Sequence, residues 1–327
     1  MKKVLVAHPN SSVRREFSKK ISLLDGIEVV SKVRNPKNFF EQVKNSEPDV
    51  VILGARFEDI SGLDLLDRLM KTEAVPVLAI AGEEELEQEE AVRALSYGAI
   101  DLVELEDSPE EIKALVEIAA EAETTPYWEE IETEIPVAAE DSNRVVAIGS
   151  STGGPSALEF ILKHLPGDLP APVLIAQHMS PRYTKIFTER VNKLCELELK
   201  EAEDGEIIEE NKVYMAPGNK DMTVWEENGE LVISLEEPVH EPTPSIDELF
   251  KSISVAAGPR VVGVVLTGMG KDGVVGSRFI KAEGGTLIVQ DRETSEIYGI
   301  GKHVVAQGDA NEVLPLEKIP EQITRCM

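Results

Sequence analysis

At 327 residues, with 42% hydrophobic and 29% charged residues, the chain is too long for one ordinary core and has the balance of folded globular protein, so two domains are expected. Its 61 acidic against 33 basic residues leave a net charge of -28, which argues against binding the phosphate backbone of nucleic acid. No apolar run approaches the ~20 residues that span a bilayer, and two cysteines, Cys195 and Cys326, stand in no metal-ligand or redox spacing, so no metal site and no cofactor are expected.

Met1-Lys2-Lys3 leads straight into a short strand-like run rather than a signal peptide, so the protein is expected to be cytoplasmic. Residues 1–122 alternate β-branched apolar runs at 4–7, 27–30, 50–53, 76–80 and 101–103 with longer amphipathic segments. That alternation predicts an α/β domain with a doubly wound parallel sheet. The six glutamates within 82–90 read as a solvated helix face at a dipole-favourable end. Ser108-Pro109-Glu110-Glu111 offers an N-cap, a proline at N1 and a capping-box glutamate, starting a helix that should end near Ala122. Residues 123–141 hold 7 acidic and 0 basic residues with two prolines and read as an exposed linker, in which Tyr127 and Trp128 suggest packing on a domain.

A second α/β series occupies residues 142–327, with strand-like runs at 145–148, 173–176, 213–215, 261–266 and 286–289. Asn228-Gly229 between strand-like residues is a hairpin signal, so this domain is expected to be mainly parallel with an antiparallel β-hairpin attached. No repeat at a solenoid period is present.

The chemistry concentrates in this second domain. Gly149-Ser150-Ser151-Thr152-Gly153-Gly154 joins a strand to an amphipathic pattern that starts at Pro155. A serine at such a turn is exposed at the sheet edge with helix N–H groups facing its oxygen, although the same turn also suits an anion. His178 follows the run 173–176 and Asp272 the run 261–266, so all three fall at strand carboxyl ends, the shared edge where open α/β sheets bind ligands. A serine hydroxyl needs a histidine base, and the histidine needs a carboxylate to fix its tautomer. Ser151, His178 and Asp272 are therefore the expected nucleophile, base and orienting acid. Their chain order differs from the Ser, Asp, His order of α/β-hydrolases.

The segments 149–155, Gln177-His178-Met179, 214–218, 244–250, 266–273, Gln290-Asp291 and Tyr298-Gly299 resemble, in the same order, the chemotaxis protein-glutamate methylesterases of CheB type. The resemblance covers essentially the whole chain. It implies a flavodoxin-type receiver domain followed by a methylesterase domain, with the triad named above and backbone oxyanion donors around Thr152 and Met269. It further implies a γ-methyl glutamate ester on methyl-accepting chemoreceptors as substrate, glutamine deamidation as a second activity, and chemotaxis signalling partners at the receiver face. Asp221 stands where the family often has histidine, and Ile300-Gly301 where Met-Pro is common, two departures expected to affect the substrate groove.

Receivers of this type carry acids after the first strand, a phosphoacceptor aspartate after the third, a hydroxyl residue after the fourth and a lysine after the fifth. Here those positions hold His8 and Pro9, Gly54, Ala81 and Leu105. Neither His8 nor Pro9 replaces the oxygen pair that Mg2+ prefers. Glu58 and Asp59 are displaced from the acceptor position and read as solvated loop residues. The expectation is a pseudoreceiver that is not phosphorylated at the usual site.

The remaining candidates read as structural. Ser150 is set aside by the glycine spacing, His164 falls late in a helix, His303 in a polar turn, and Asp247 and Asp291 read as turn or cap residues. His240 reads equally as groove lining or a structural hydrogen-bonding residue, and the Met269 side chain as core filler. Three functions remain in play: an esterase and amidase acting on chemoreceptors, a non-catalytic signalling scaffold, and an esterase of the same mechanism with a non-chemotaxis substrate.

Overall fold

In the computed structural model the chain divides into two compact units, Met1–Glu129 and Glu130–Met327. The structure describes residues 1–54, 56–57, 60–73, 75–82, 84–124 and 143–327. Glu58, Asp59, Tyr127, Trp128 and most of the acidic linker lie outside the described residues.

The first unit runs β1 (Lys2–Ala7), α1 (Ser11–Ile21), β2 (Ile27–Val33), α2 (Phe39–Ser46), β3 (Val50–Gly54), α3 (Gly62–Thr72), β4 (Val77–Ala81), α4 (Glu85–Ser96), β5 (Asp101–Glu104) and α5 (Pro109–Ala119). Its strands pair in parallel in the order β2-β1-β3-β4-β5, the doubly wound arrangement expected. Every residue of β3 and β4 is buried, as befits parallel strands covered on both faces. Ser108 and Glu111 form the capping box at α5, with the glutamate accepting from Ser108 N at 2.7 Å and the serine from Glu111 N at 3.2 Å. The helix stops at Ala119 rather than near Ala122, because the amides of Glu121 and Ala122 reach carbonyls three residues back and close turns. In α4 the glutamates are not uniformly solvated, since Glu90 pairs with Arg56 at 3.2 Å and is only 16% exposed.

The second unit runs β6 (Val145–Ser150), α6 (Gly154–His164), β7 (Val173–Gln177), α7 (Pro181–Asn192), β8 (Glu198–Glu201), β9 (Lys212–Met215), β10 (Asp221–Glu227), β11 (Glu230–Glu236), α8 (Ile246–Ala257), β12 (Val261–Val265), α9 (Val274–Ala282), β13 (Thr286–Gln290), α10 (Ile300–Gln307), β14 (Glu312–Leu314) and α11 (Ile319–Cys326). Seven strands pair in parallel in the order β14-β13-β12-β6-β7-β9-β8. β10 and β11 form the separate antiparallel hairpin, with Asn228 at φ 55° and Gly229 at φ 89° in the turn. The edge strands β8 and β14 escape the sequence pattern because they are short and carry charge, the usual way an edge avoids further pairing. His303 lies inside α10 rather than in a turn.

Candidate active site

The three central strands of the second sheet, β12, β6 and β7, lie side by side, and each delivers one polar side chain from its carboxyl end. Ser151 follows β6, His178 follows β7, and Asp272 sits on the loop between β12 and α9. His178 Nδ1 lies 3.0 Å from Ser151 Oγ, and His178 Nε2 lies 2.8 Å from Asp272 Oδ2. An ionised carboxylate only accepts, so the ring proton belongs on Nε2 and the Nδ1 lone pair faces the serine. The serine is 8% exposed and the imidazole and carboxylate side chains 11% each, so the line of groups is largely but not wholly screened from solvent.

The nucleophile turn is fixed by close packing. Gly153 holds φ 76°, in the left-handed region, and begins α6 with Pro155 behind it. The amide of Ser151 donates to Thr267 O at 3.1 Å and that of Gly154 to Ser151 O at 2.8 Å, while Pro155 has no N–H. The helix therefore offers fewer donors to the serine oxygen than its sequence suggests. Thr152 is 8% exposed and its carbonyl accepts from Thr267 Oγ1 at 3.1 Å. Across the turn, the N–H of Met269 meets no acceptor among the described residues, and its side chain is 51% exposed rather than core filler.

Asp272 is held at the start of α8. Its oxygens accept from Ile246 N at 2.7 Å, Asp247 N at 3.0 Å and Ser245 Oγ at 3.1 Å, in addition to His178. Burial alone would raise its carboxyl, but the bond from His178 and the helix amides outweigh burial and keep it below the ordinary carboxylate range. The acid is thereby kept ionised where a positive imidazole would need it.

The residue that ties the site together entered the sequence reading only as part of the segment Gln177-His178-Met179, with no role of its own. Gln177, 1% exposed, takes the Ser150 hydroxyl at 2.6 Å and donates to the carbonyls of Ser151 and His178 at 2.9 Å each. One amide thus clamps the serine turn to the histidine strand. Ser150 is wholly buried by this bond, which leaves Ser151 as the hydroxyl facing the imidazole. The available signal was a polar residue ending an apolar strand.

Residues 146–323 match the family model for CheB methylesterase, and residues 4–117 match that for a response regulator receiver domain. The chain is 36% identical over 340 residues to protein-glutamate methylesterase/protein-glutamine glutaminase 3 of Burkholderia thailandensis, covering 98% of this chain and 94% of that protein. It is 35% identical to the protein-glutamate methylesterase/protein-glutamine glutaminase of Archaeoglobus fulgidus, covering 99% and 97%. The chain belongs to the CheB methylesterase family. Its second unit also superimposes on the crystal structure of the Thermotoga maritima CheB methylesterase catalytic domain, with a TM-score of 0.55 and 39% identity, covering 56% of this chain and 98% of that one.

Both departures from the CheB pattern are buried and hydrogen-bonded within the second unit. Asp221 is 5% exposed, and its Oδ1 accepts from Ser245 N at 2.7 Å, immediately before α8. Ile300 is fully buried, and its amide donates to Gly268 O at 2.9 Å. His240 is exposed, with no hydrogen bond among the described residues. His164 ends α6 with Nδ1 2.7 Å from Phe160 O, and Asp291 is a turn residue accepting from Thr294 N and Oγ1 at 2.9 and 2.7 Å.

In the receiver-like unit of this CheB-family chain, His8 follows β1, Gly54 ends β3, Ala81 ends β4 and Leu105 follows β5. They converge on one sheet edge with no carboxylate among them. A Cβ at Gly54 would lie 2.2 Å from His8 Cδ2, so the imidazole occupies the space that an acceptor side chain would need. His8 Nδ1 accepts from Asn10 N at 3.1 Å, and Arg14 donates to the carbonyls of His8 and Pro9. Burial, aided by the charge of Arg14, lowers the imidazole pKa and favours the neutral ring.

Proposed function

We propose that this protein hydrolyses γ-glutamyl methyl esters on chemoreceptors and deamidates receptor glutamines in the cytoplasm, with Ser151 as nucleophile, His178 as general base and acid, and Asp272 as the orienting carboxylate. The carrying observation is the continuous line Ser151 Oγ, His178 Nδ1 and Nε2, Asp272 Oδ2, at 3.0 and 2.8 Å. In this reading Nδ1 takes the hydroxyl proton as Oγ attacks the ester carbonyl, and Asp272 stabilises the imidazolium. The amides of Thr152 and Met269 receive the oxyanion. The proton then passes to the departing methoxide, which leaves as methanol, or to the departing amide nitrogen of a glutamine, which leaves as ammonia, and water repeats the sequence on the acyl-enzyme. The names of the full-length relatives, protein-glutamate methylesterase/protein-glutamine glutaminase, support the substrate.

The test is methanol release from methylated receptor membranes by the protein and by Ser151→Ala. Release by the wild type that is abolished in the variant is expected. Equal inactivity of both with receptor binding intact would favour the scaffold, and release only from a non-receptor ester would favour a different substrate.

The receiver-like unit is, in the same reading, a pseudoreceiver, and control passes to a partner or is absent. The His8 ring packed against Gly54, with no acid at either flanking position, supports this. Incubation with Mg2+ and a small phosphodonor should leave the intact mass unchanged. A stoichiometric acid-labile phosphate would overturn it.

A further inference from the structure

Asp272 and Asp247 hold each other's chain segments. Asp272 stands just before α9 and accepts the amides of Ile246 at 2.7 Å and Asp247 at 3.0 Å, at the start of α8. Asp247 stands in the first turn of α8, and its Oδ1 accepts the amides of Gly273 at 2.9 Å and Gly276 at 2.7 Å, at the start of α9. Each carboxylate thus caps the other's helix, and Gly273 is the residue directly after Asp272. The approach is close: a Cβ on Gly276 would lie 2.5 Å from Phe250 Cβ and 3.0 Å from Asp247 O.

The exchange brings two half-buried acids together at a cost. Burial raises the pKa of Asp247, and the charge of Asp272 adds to that effect against the Gly276 bond. A cap for α9 alone would not need a second carboxylate beside Asp272, since serine or asparagine at an N-cap serves comparably. The distinctive consequence of the present arrangement is geometric. The segment 272–276 is gripped at both ends, so the Asp272 oxygen facing His178 Nε2 is fixed along and across the bond.

We propose that Asp247 is a positioning residue for the hydrolytic reaction, acting through Asp272 by gripping the Gly273 and Gly276 amides. This rests on the reading of Ser151, His178 and Asp272 as a catalytic triad. Misplacing a catalytic group by about 1 Å can lower a rate on the order of 100-fold. Loss of the grip should therefore lower kcat and leave KM nearly unchanged, because the Asp247 carboxylate binds the amides of the segment that carries Asp272.

The experiment is a double-mutant cycle on full-length protein, reading methyl ester hydrolysis for Asp247→Ala, Asp272→Ala and the pair, with Asp247→Asn as the conservative variant. Asp247→Ala should lose roughly 10- to 100-fold in kcat with KM within about twofold. Asparagine keeps an oxygen for both amides and should restore kcat to within about threefold. In the Asp272→Ala background the loss caused by Asp247→Ala should vanish, as expected for two residues acting as one unit. Full additivity of the two losses, or equal loss in the alanine and asparagine variants, would overturn the proposal. Should Asp247→Ala fail to fold, Asp247→Ser takes its place in the same cycle. Wild-type protein without Ser151-dependent hydrolysis would instead sink the triad reading, a result distinguishable from either outcome.

Discussion

Gly268 lies so close against Ser151 that a methyl group on its α-carbon would sit 2.7 Å from the serine Cβ and 3.0 Å from the serine amide nitrogen. The same methyl would meet Ile300 Cδ1 at 2.8 Å, so the surroundings have little room to yield. Gly268→Ala should push the nucleophile off line with His178. Steady-state ester hydrolysis should fall at least tenfold, with a stability loss of about 1–3 kcal/mol from overpacking. Unchanged kcat would show that the turn can relax without moving Ser151.

Gln177 offers a second, independent handle on the same geometry. Replacing it with leucine keeps the volume, removes the partner of the Ser150 hydroxyl and takes one donor from each of the two carbonyls, of which Ser151 O keeps the Gly154 amide. Buried polar groups left unpaired cost about 1–3 kcal/mol each. Gln177→Leu should lower unfolding stability by about 3 kcal/mol, on the scale of those penalties, and reduce kcat with it. Denaturant unfolding followed by circular dichroism reads the first, and methanol release the second.

Asp221 gives a pH-dependent prediction. Burial, partly offset by the Ser245 amide and reinforced by the charge of Asp272, raises its folded-state pKa above the unfolded value. The buried charge therefore destabilises the fold above the folded pKa. That penalty shrinks as pH falls through the folded pKa and is gone below about 3.9, where folded and unfolded chains both carry the proton. Asp221→Asn keeps an acceptor for Ser245 N and removes the charge. It should raise Tm by roughly 3 °C at pH 7, with the gain disappearing toward pH 4. A gain independent of pH would rule out the carboxylate as its source.

His8 and Gly54 make the receiver-like unit testable by packing alone. Gly54→Asp places a Cβ within 2.2 Å of the His8 ring and should cost about 1–3 kcal/mol. Adding His8→Ala should recover at least half of the lost stability, measured by scanning calorimetry. Equal destabilisation with and without His8 would show that the ring does not fill the acceptor position.

Much of this protein was legible from local pattern. Fully buried runs such as residues 145–148 and 173–176 declare parallel strands because both their faces are covered. Asn228-Gly229 declares a hairpin because only such residues accept positive φ cheaply at both turn positions. The strand-end placement of Ser151, His178 and Asp272 was also readable, since the carboxyl ends of parallel strands share one edge. Charged edge strands β8 and β14, the early stop of α5 and the helical place of His303 were not, because pairing partners and packing decide them rather than periodicity.

What the sequence by itself determined is the set of candidate groups and their common edge. It could not say that β12, β6 and β7 are adjacent in that order, which is what brings the three side chains within hydrogen-bonding reach. Nor could it show Gln177 tying two strands, Asp221 braced behind α8, or Asp247 and Asp272 exchanging caps across 25 residues of chain. Those contacts join residues remote in sequence, and their worth depends on the distance and burial that only the packed structure sets.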